Sequence, residues 1–173
     1  WSPVNRAVEA GKRAGIPVMV DFGGSRPPLS LQALLLEHLR PGDIFTHTFA
    51  NVGGRIPIVN TEKMLRPFVF SAQKRGIVFD VAHGGSSFLF SQARPAATQG
   101  FWPDSISTDL HRGSMNGSMK SLANVMSKFL NLGMPLEGTI LRTTWNPARY
   151  IKRPDLGHLD LGAVADLAVF RLR

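Results

Sequence analysis

"SISTDLHRG" (residues 105–113) alternates apolar and hydroxyl side chains and then ends on an acid, an imidazole and a glycine. Three earlier stretches have the same form: "VMVDFGG" (18–24), "DIFTHTF" (43–49) and "IVFDVAHGG" (77–85). Each is a short β-type run that closes on Asp or His and passes into a loop. The runs follow one another at roughly 25–35 residues with helical sequence between them, which predicts repeated βα units and a parallel sheet.

The segments before, between and after these runs predict helices over 2–14, 30–40, 63–76 and 118–133, and a further one over 135–151 that Pro147 breaks. The α/β sheet is either an open doubly wound layer or part of a closed (β/α)₈ barrel, since functional residues follow the strands in both. From residue 153 the chain changes to short apolar runs separated by Gly and Asp, which predicts β-type structure outside the βα layers.

Composition limits what this chain binds. With 173 residues, 43% apolar and 18% charged, it is typical of one folded globular domain. The absence of cysteine excludes disulfides and thiolate metal sites, so any metal must be held by His and carboxylate side chains.

Charge and hydropathy narrow the partners further. The net charge of +8 raises the alternative of a basic nucleic-acid-binding domain. The basic residues, however, occur singly or in pairs without interleaved aromatic residues, so we expect no nucleic acid as a partner. No apolar run is long enough to cross a bilayer, and residues 1–15 lack the apolar core of a signal peptide. We therefore expect no membrane partner and a cytoplasmic location.

The ends of the predicted strands carry the candidate site. Parallel strands present their carboxyl ends on one face, so we expect these side chains to converge: Asp21, His47, His83, Asp109 and His111. Imidazole and carboxylate groups bind Zn²⁺ and related cations, which activate water, and a nearby carboxylate can carry the proton. Each residue alone has a plainer explanation, such as a turn at Asp21 or a hydrogen-bonded strand end at His47. Four successive strands ending in this way favour the metal site.

Several motifs resemble one known group of enzymes. "RPGDIFTHTF", "GIVFDVAHGGSSFLF", "PDSISTDLH", "VMSKFLNLGMPLE" and "NPARYIKRPDLGHLDLGAVADLAVF" are similar to the amidohydrolase superfamily, nearest to its dihydroorotase-like and D-aminoacylase-like deacetylases. The resemblance implies a (β/α)₈ barrel that hydrolyses amide or ester bonds with one or two divalent metal ions, usually zinc. Residues 1–152 would be the C-terminal half of that barrel, about strands 5–8, and residues 153–173 a segment of a small β-sandwich.

The resemblance also implies roles for individual residues. His47 would be the metal ligand of strand six, and Asp109 the ligand of strand eight that also transfers the catalytic proton. His83 and Gly84, after strand seven, and His111 would contact the substrate. Asp21 stands where the resemblance expects a histidine ligand on strand five, so its binding to metal is left open.

The same resemblance predicts that other parts of the enzyme are needed. The chain has no His-x-His pair, which the first strand of such barrels usually supplies. Half a barrel leaves unpaired strand edges, so we expect a homo-oligomer or a need for the missing N-terminal half. The substrate would be a small amide or ester, and this chain alone is expected to be inactive. The alternative is a non-catalytic or degenerate half-barrel that serves as a binding or assembly module.

Overall fold

Three short parallel strands form the sheet: β1 (Met19–Val20), β2 (Ile44–Phe45) and β3 (Val78–Phe79), in the order β1-β2-β3. The structure is a computed structural model, and it describes residues 1–172. β2 pairs in parallel with both other strands: Ile44 lies opposite Met19 of β1 and opposite Val78 of β3. The predicted α/β architecture with a parallel sheet is confirmed.

The fourth predicted strand, segment 105–109, runs along β3. A parallel bridge joins Asp80 to Ser105, and the amide of His83 donates to the carbonyl of Ser107 at 3.2 Å. The amide of Gly84 donates to the carbonyl of Thr108 at 2.9 Å, which extends the pairing to the strand end. Asp109 therefore lies at the same edge of the sheet as the residues that follow β1, β2 and β3.

Seven α-helices surround the sheet: α1 (Ser2–Ala14), α2 (Leu31–Ala33), α3 (Pro67–Lys74), α4 (Phe90–Thr98), α5 (Leu122–Asn131), α6 (Leu136–Thr143) and α7 (Trp145–Tyr150) among residues 1–172. A π-helical turn (Leu34–His38) continues α2. The helix predicted over 135–151 is interrupted at Thr144, and the prediction of a break at Pro147 is wrong. Pro147 lies in the first turn of α7, where an amide donor has no partner within the helix.

Phenylalanine side chains make much of the core between the sheet and the helices. Phe79 and Phe101 meet edge to face with ring centres 5.2 Å apart, and Phe49 lies 6.1 Å from Phe129 of α5. All four are fully buried. Each buried apolar side chain of this kind contributes about 1.5–3 kcal/mol. This packing holds the strand ends in fixed positions relative to α4 and α5.

The C-terminal segment differs from the rest of the chain. Residues 153–172 carry no helix or strand, and Leu161 and Val169 are fully exposed. The expected contribution of this segment to a small β-sandwich stays a prediction. Within the described residues, none of the helices has the length and apolar character required to cross a membrane.

Candidate functional site

Three side chains from separate strand ends converge at one edge of the sheet. The Nε2 atom of His47 lies 3.8 Å from Oδ2 of Asp21 and 4.0 Å from Oδ2 of Asp109. Asp21 follows β1, His47 follows β2, and Asp109 ends the segment beside β3. The structure thus places these residues as the parallel topology predicts.

The ring of His47 is held in one orientation. Its Nδ1 donates a hydrogen bond to the carbonyl oxygen of Ala82 at 2.7 Å, which leaves the lone pair on Nε2. Only 14% of the side chain is exposed. A backbone carbonyl on one ring nitrogen is the usual arrangement for a histidine that binds metal through the other nitrogen.

Left-handed backbone conformations mark three strand ends. His47 has φ 56°, Ala82 has φ 37° and Asp109 has φ 48°. This region costs a residue with a side chain roughly 1–2 kcal/mol, and such strain concentrates at functional sites. The conformations turn the chain sharply after each strand.

Asp109 is fixed through the turn that follows it. His111 Nδ1 donates to the carbonyl oxygen of Asp109 at 2.9 Å, and the buried hydroxyl of Ser114 donates to the same oxygen at 3.1 Å. The Ser114 hydroxyl also accepts from the amide of His111 at 3.0 Å. The His111 side chain is 55% exposed, so its Nε2 can be reached from solvent.

Gly84 lies directly against the carboxylate of Asp109. It has φ 52°, and a Cβ added there would lie 2.6 Å from Oδ2 of Asp109. No side chain fits at that distance without displacing the carboxylate. Gly84 therefore lets Asp109 approach the backbone that follows β3.

His83 is buried behind this edge and is not exposed to solvent. Its Nδ1 donates to the carbonyl of Gly84 at 2.9 Å, and its Nε2 accepts from Nζ of Lys128 at 2.6 Å. The ring stacks on Phe88 with centres 4.8 Å apart. Burial, and then the charge of Lys128, lower the pKa of His83, so the imidazole is kept neutral. Its predicted contact with substrate stays a prediction.

Arg55 also lies at the site, although it was not among the residues predicted from the sequence. Its Nη2 donates to Oδ1 of Asp21, its Nε to the carbonyl of Phe22 at 2.5 Å, and its Nη1 to the carbonyl of His47 at 3.2 Å. Only 4% of its side chain is exposed. Burial lowers the pKa of Arg55, and the carboxylate of Asp21 partly offsets that change.

Asp80 connects the strand ends through hydrogen bonds to its side chain. Its carboxylate is buried and accepts hydrogen bonds from three hydroxyls: Thr46 at 2.8 Å, Ser107 at 2.8 Å and Ser105 at 2.5 Å. Asp80 follows β3 directly, so these hydrogen bonds connect β3 to the end of β2 and to segment 105–109. The alternation of serine and apolar residues in "SIS" was the available signal, because the two serines share one face of the strand.

The donor set suits a divalent metal ion in part. Ligand atoms of tetrahedral zinc lie about 2.0–2.1 Å from the ion and hence roughly 3.3 Å apart. The distances of 3.8 and 4.0 Å from His47 Nε2 to the two carboxylates are somewhat longer. Within residues 1–172 no three His, Asp or Glu side chains are arranged as a complete metal site. The chain therefore offers a suitable imidazole and suitable carboxylates, and a full coordination sphere needs donors from outside the described part.

Three curated proteins are similar to this chain in sequence. The chain is 39% identical over 171 residues to a deacetylase of Agrobacterium fabrum and to a deacetylase of Brucella anthropi, covering 99% of this chain and 41% of each relative. It is 35% identical over 159 residues to a deacetylase of Enterococcus faecalis, covering 91% of this chain and 42% of that protein. The chain thus spans about two fifths of the length of the relatives it matches.

Solved structures with a similar fold include an adenine deaminase and a dihydroorotase. A crystal structure of an adenine deaminase matches with a TM-score of 0.85 and 30% identity over 95% of this chain and 44% of that one. A crystal structure of a dihydroorotase matches with a TM-score of 0.73 and 38% identity over 90% of this chain and 40% of that one. Both are TIM-barrel members of the amidohydrolase superfamily.

The chain is homologous to part of these amidohydrolases. The resemblance drawn from its motifs is thereby confirmed, although no family model matches the sequence. The amidohydrolase relatives are each more than twice as long as the matched region. The match in fold therefore does not by itself give the substrate or the reaction of the complete protein.

Proposed function

We propose that the complete protein containing this chain is a metal-dependent hydrolase of amide or ester bonds, of the deacetylase type. The observation that carries the proposal is the meeting of His47 Nε2 with the carboxylates of Asp21 and Asp109 at the carboxyl ends of parallel strands. The names of the sequence relatives support acetylated compounds as the substrate class. In parallel barrels of this kind, substrates bind among the strand ends and the loops that follow them, which is where these three side chains lie.

In this proposal residues 1–152 supply about strands 5–8 of a (β/α)₈ barrel, and residues 153–173 lead into a small β-sandwich. The two-fifths coverage of the relatives supports a partial barrel. Met19 of β1 is half exposed, as expected for an edge strand without its neighbour. The chain would then require the rest of the barrel or a second copy for activity. The cytoplasm is the expected location.

His47 and Asp109 would hold the metal ion, expected to be zinc, through Nε2 and Oδ2. A bound divalent ion lowers the pKa of water toward neutrality and polarises a carbonyl group. The hydrogen bond from His47 Nδ1 to Ala82 keeps the lone pair of Nε2 directed at this position. Whether Asp21 contributes a third donor depends on its contact with Arg55.

Asp109 would carry the proton of the reaction. With Oδ2 directed at the metal ion, its other oxygen, Oδ1, would accept a proton from the attacking water and deliver it to the departing amine or alcohol, a role that requires a carboxylate held close to both. Gly84 and the turn through Ser114 hold that carboxylate in place. His111, with its proton on Nδ1, would offer Nε2 to a donor group of the substrate.

A second candidate follows from the ion pair between Asp21 and Arg55. If that pair removes a ligand which the metal site requires, the chain is a degenerate half-barrel that binds or assembles without catalysis. This alternative predicts that the complete protein binds a small acetylated compound but does not turn it over.

The two candidates are separated by assaying the complete protein with added Zn²⁺ against p-nitrophenyl acetate and a panel of N-acetyl amino acids. The hydrolase is supported by turnover that Asp109→Asn reduces about 10²–10⁴-fold. Absence of turnover, or turnover indifferent to Asp109→Asn, contradicts it. His47→Gln should lower the zinc content of the purified protein, measured by inductively coupled plasma mass spectrometry.

A further inference from the structure

The guanidinium of Arg55 requires a negative partner. Its side chain is almost completely buried, and two of its three polar partners are the uncharged carbonyls of Phe22 and His47. Asp21 is the one carboxylate that pairs with Arg55 in residues 1–172. A buried cation without a paired anion is strongly destabilising, so the fold depends on Asp21 for this role.

The two oxygens of Asp21 have different surroundings. Oδ1 accepts from Arg55, and Oδ2 faces His47 Nε2 at 3.8 Å. A divalent cation on Oδ2 would face the guanidinium across a single carboxyl group, and like charges at that separation repel. Asp109 offers Oδ2 to the same imidazole at 4.0 Å, and within residues 1–172 its ion-pair partners are histidines and not an arginine. The carboxylate of Asp109 is therefore the better metal ligand of the two.

The Asp21–Arg55 pair is also built into the backbone. Arg55 joins the end of β1, through Phe22, to the end of β2, through the left-handed residue His47. Gly23 packs so closely on Arg55 that an added Cβ would lie 3.3 Å from both Cβ and Nε of the arginine. The pair thus fixes the distance between the first two strand ends of the site.

We infer that Asp21 is the counter-ion of Arg55 rather than a metal ligand, and that Arg55 is a positioning residue for His47. His47 and Asp109 are then the two side chains that this chain contributes to the metal. The inference rests on the proposed function in that it requires a metal at this edge.

The test uses the complete protein loaded with Co²⁺, whose visible absorption reports the number and geometry of its ligands. The double variant Asp21→Asn with Arg55→Gln removes both charges together, so the net charge around the metal is unchanged. We expect it to keep the wild-type Co²⁺ spectrum, because no ligand is lost, and to lose about 10–100-fold in Co²⁺ affinity, because a residue that positions His47 is lost. Asp109→Asn should alter the spectrum. Arg66→Gln is the matched control, because Arg66 donates through Nε to the carbonyl of Pro57 and pairs with no carboxylate within the described chain.

A spectrum changed by the double variant as much as by Asp109→Asn would overturn the inference. A wild-type protein that takes up no Co²⁺ would instead refute the proposed metal site. In that case thermal unfolding of the metal-free protein decides the ion pair. Asp21→Asn and Arg55→Gln should each lower the melting temperature, and the double variant should lower it by less than their sum. Additive effects would contradict the pairing.

Discussion

Replacing Gly84 by alanine tests how precisely Asp109 must be placed. The added Cβ would lie 2.6 Å from Oδ2 of Asp109, whereas carbon–oxygen contacts in proteins lie at roughly 3.3–3.6 Å. The carboxylate must therefore move by roughly 0.7–1.0 Å. A displacement of about 1 Å at a reacting group lowers rates by about 10²-fold. The left-handed φ of 52° adds roughly 1–2 kcal/mol of strain.

Gly85→Ala is the matched control, because no atom lies within 4 Å of a Cβ added at Gly85. The complete protein with either substitution would be assayed for kcat/KM on the best N-acetyl substrate, with thermal unfolding measured in parallel. We expect Gly84→Ala to lose about 10²-fold in kcat/KM relative to Gly85→Ala. Equal kcat/KM for the two variants would refute the argument that Gly84 makes room for the catalytic carboxylate.

Three further predictions concern the groups that support the site. Lys128→Met leaves Nε2 of buried His83 without its donor, so the free energy of unfolding should fall by about 1–3 kcal/mol; an unchanged denaturation midpoint would contradict the contact. Burial lowers the pKa of His83, so the unfolded chain takes up a proton below the ordinary value of 6.5 while the native state does not. Stability should therefore hold above pH 6.5 and decline below it, and His83→Gln should flatten that decline in chemical denaturation at several pH values. Asp80→Ala removes the acceptor of three hydroxyls and should destabilise the protein by more than Asp80→Asn, which keeps one oxygen; melting temperatures in the reverse order would count against this network.

The placement of the site follows from local sequence because strand ends are easy to recognise. Short β-type runs ending at Asp21, His47 and Asp109, with helices between, require parallel strands whose carboxyl ends meet. The prediction needed no knowledge of which side chains touch. The roles of these residues in metal binding and proton transfer stay predictions.

The neighbours of the site could not be predicted in the same way. Arg55 lies in the glycine-containing loop "NVGGRIP", and periodicity does not indicate which way a loop side chain points. Lys128 reads as a polar position on α5, yet its ammonium group reaches His83, 45 positions earlier in the chain. His83 was expected to converge with the other strand-end side chains because it follows a strand. In the structure it is buried instead. The backbone is left-handed at Ala82 and Gly84, on either side of His83, and the ring stacks on Phe88.

The break between α6 and α7 shows a limit of a different kind. Proline disrupts a helix only where its missing amide or its ring conflicts with the preceding turn. Pro147 falls in a first turn because the chain already changes direction at Thr144, which has φ −127° and ψ −87°. Gly157 packs against the carbonyl of Thr144, since an added Cβ there would lie 2.6 Å from that oxygen, and the proline pattern alone does not reveal such a contact.

The most direct test of the account is the hydrolysis of N-acetyl substrates by the complete protein before and after removal of metal. We predict that a chelator abolishes turnover and that Zn²⁺ restores it in the wild type, while Asp109→Asn stays inactive after Zn²⁺ is restored. Turnover that persists in the fully metal-depleted protein would contradict the account.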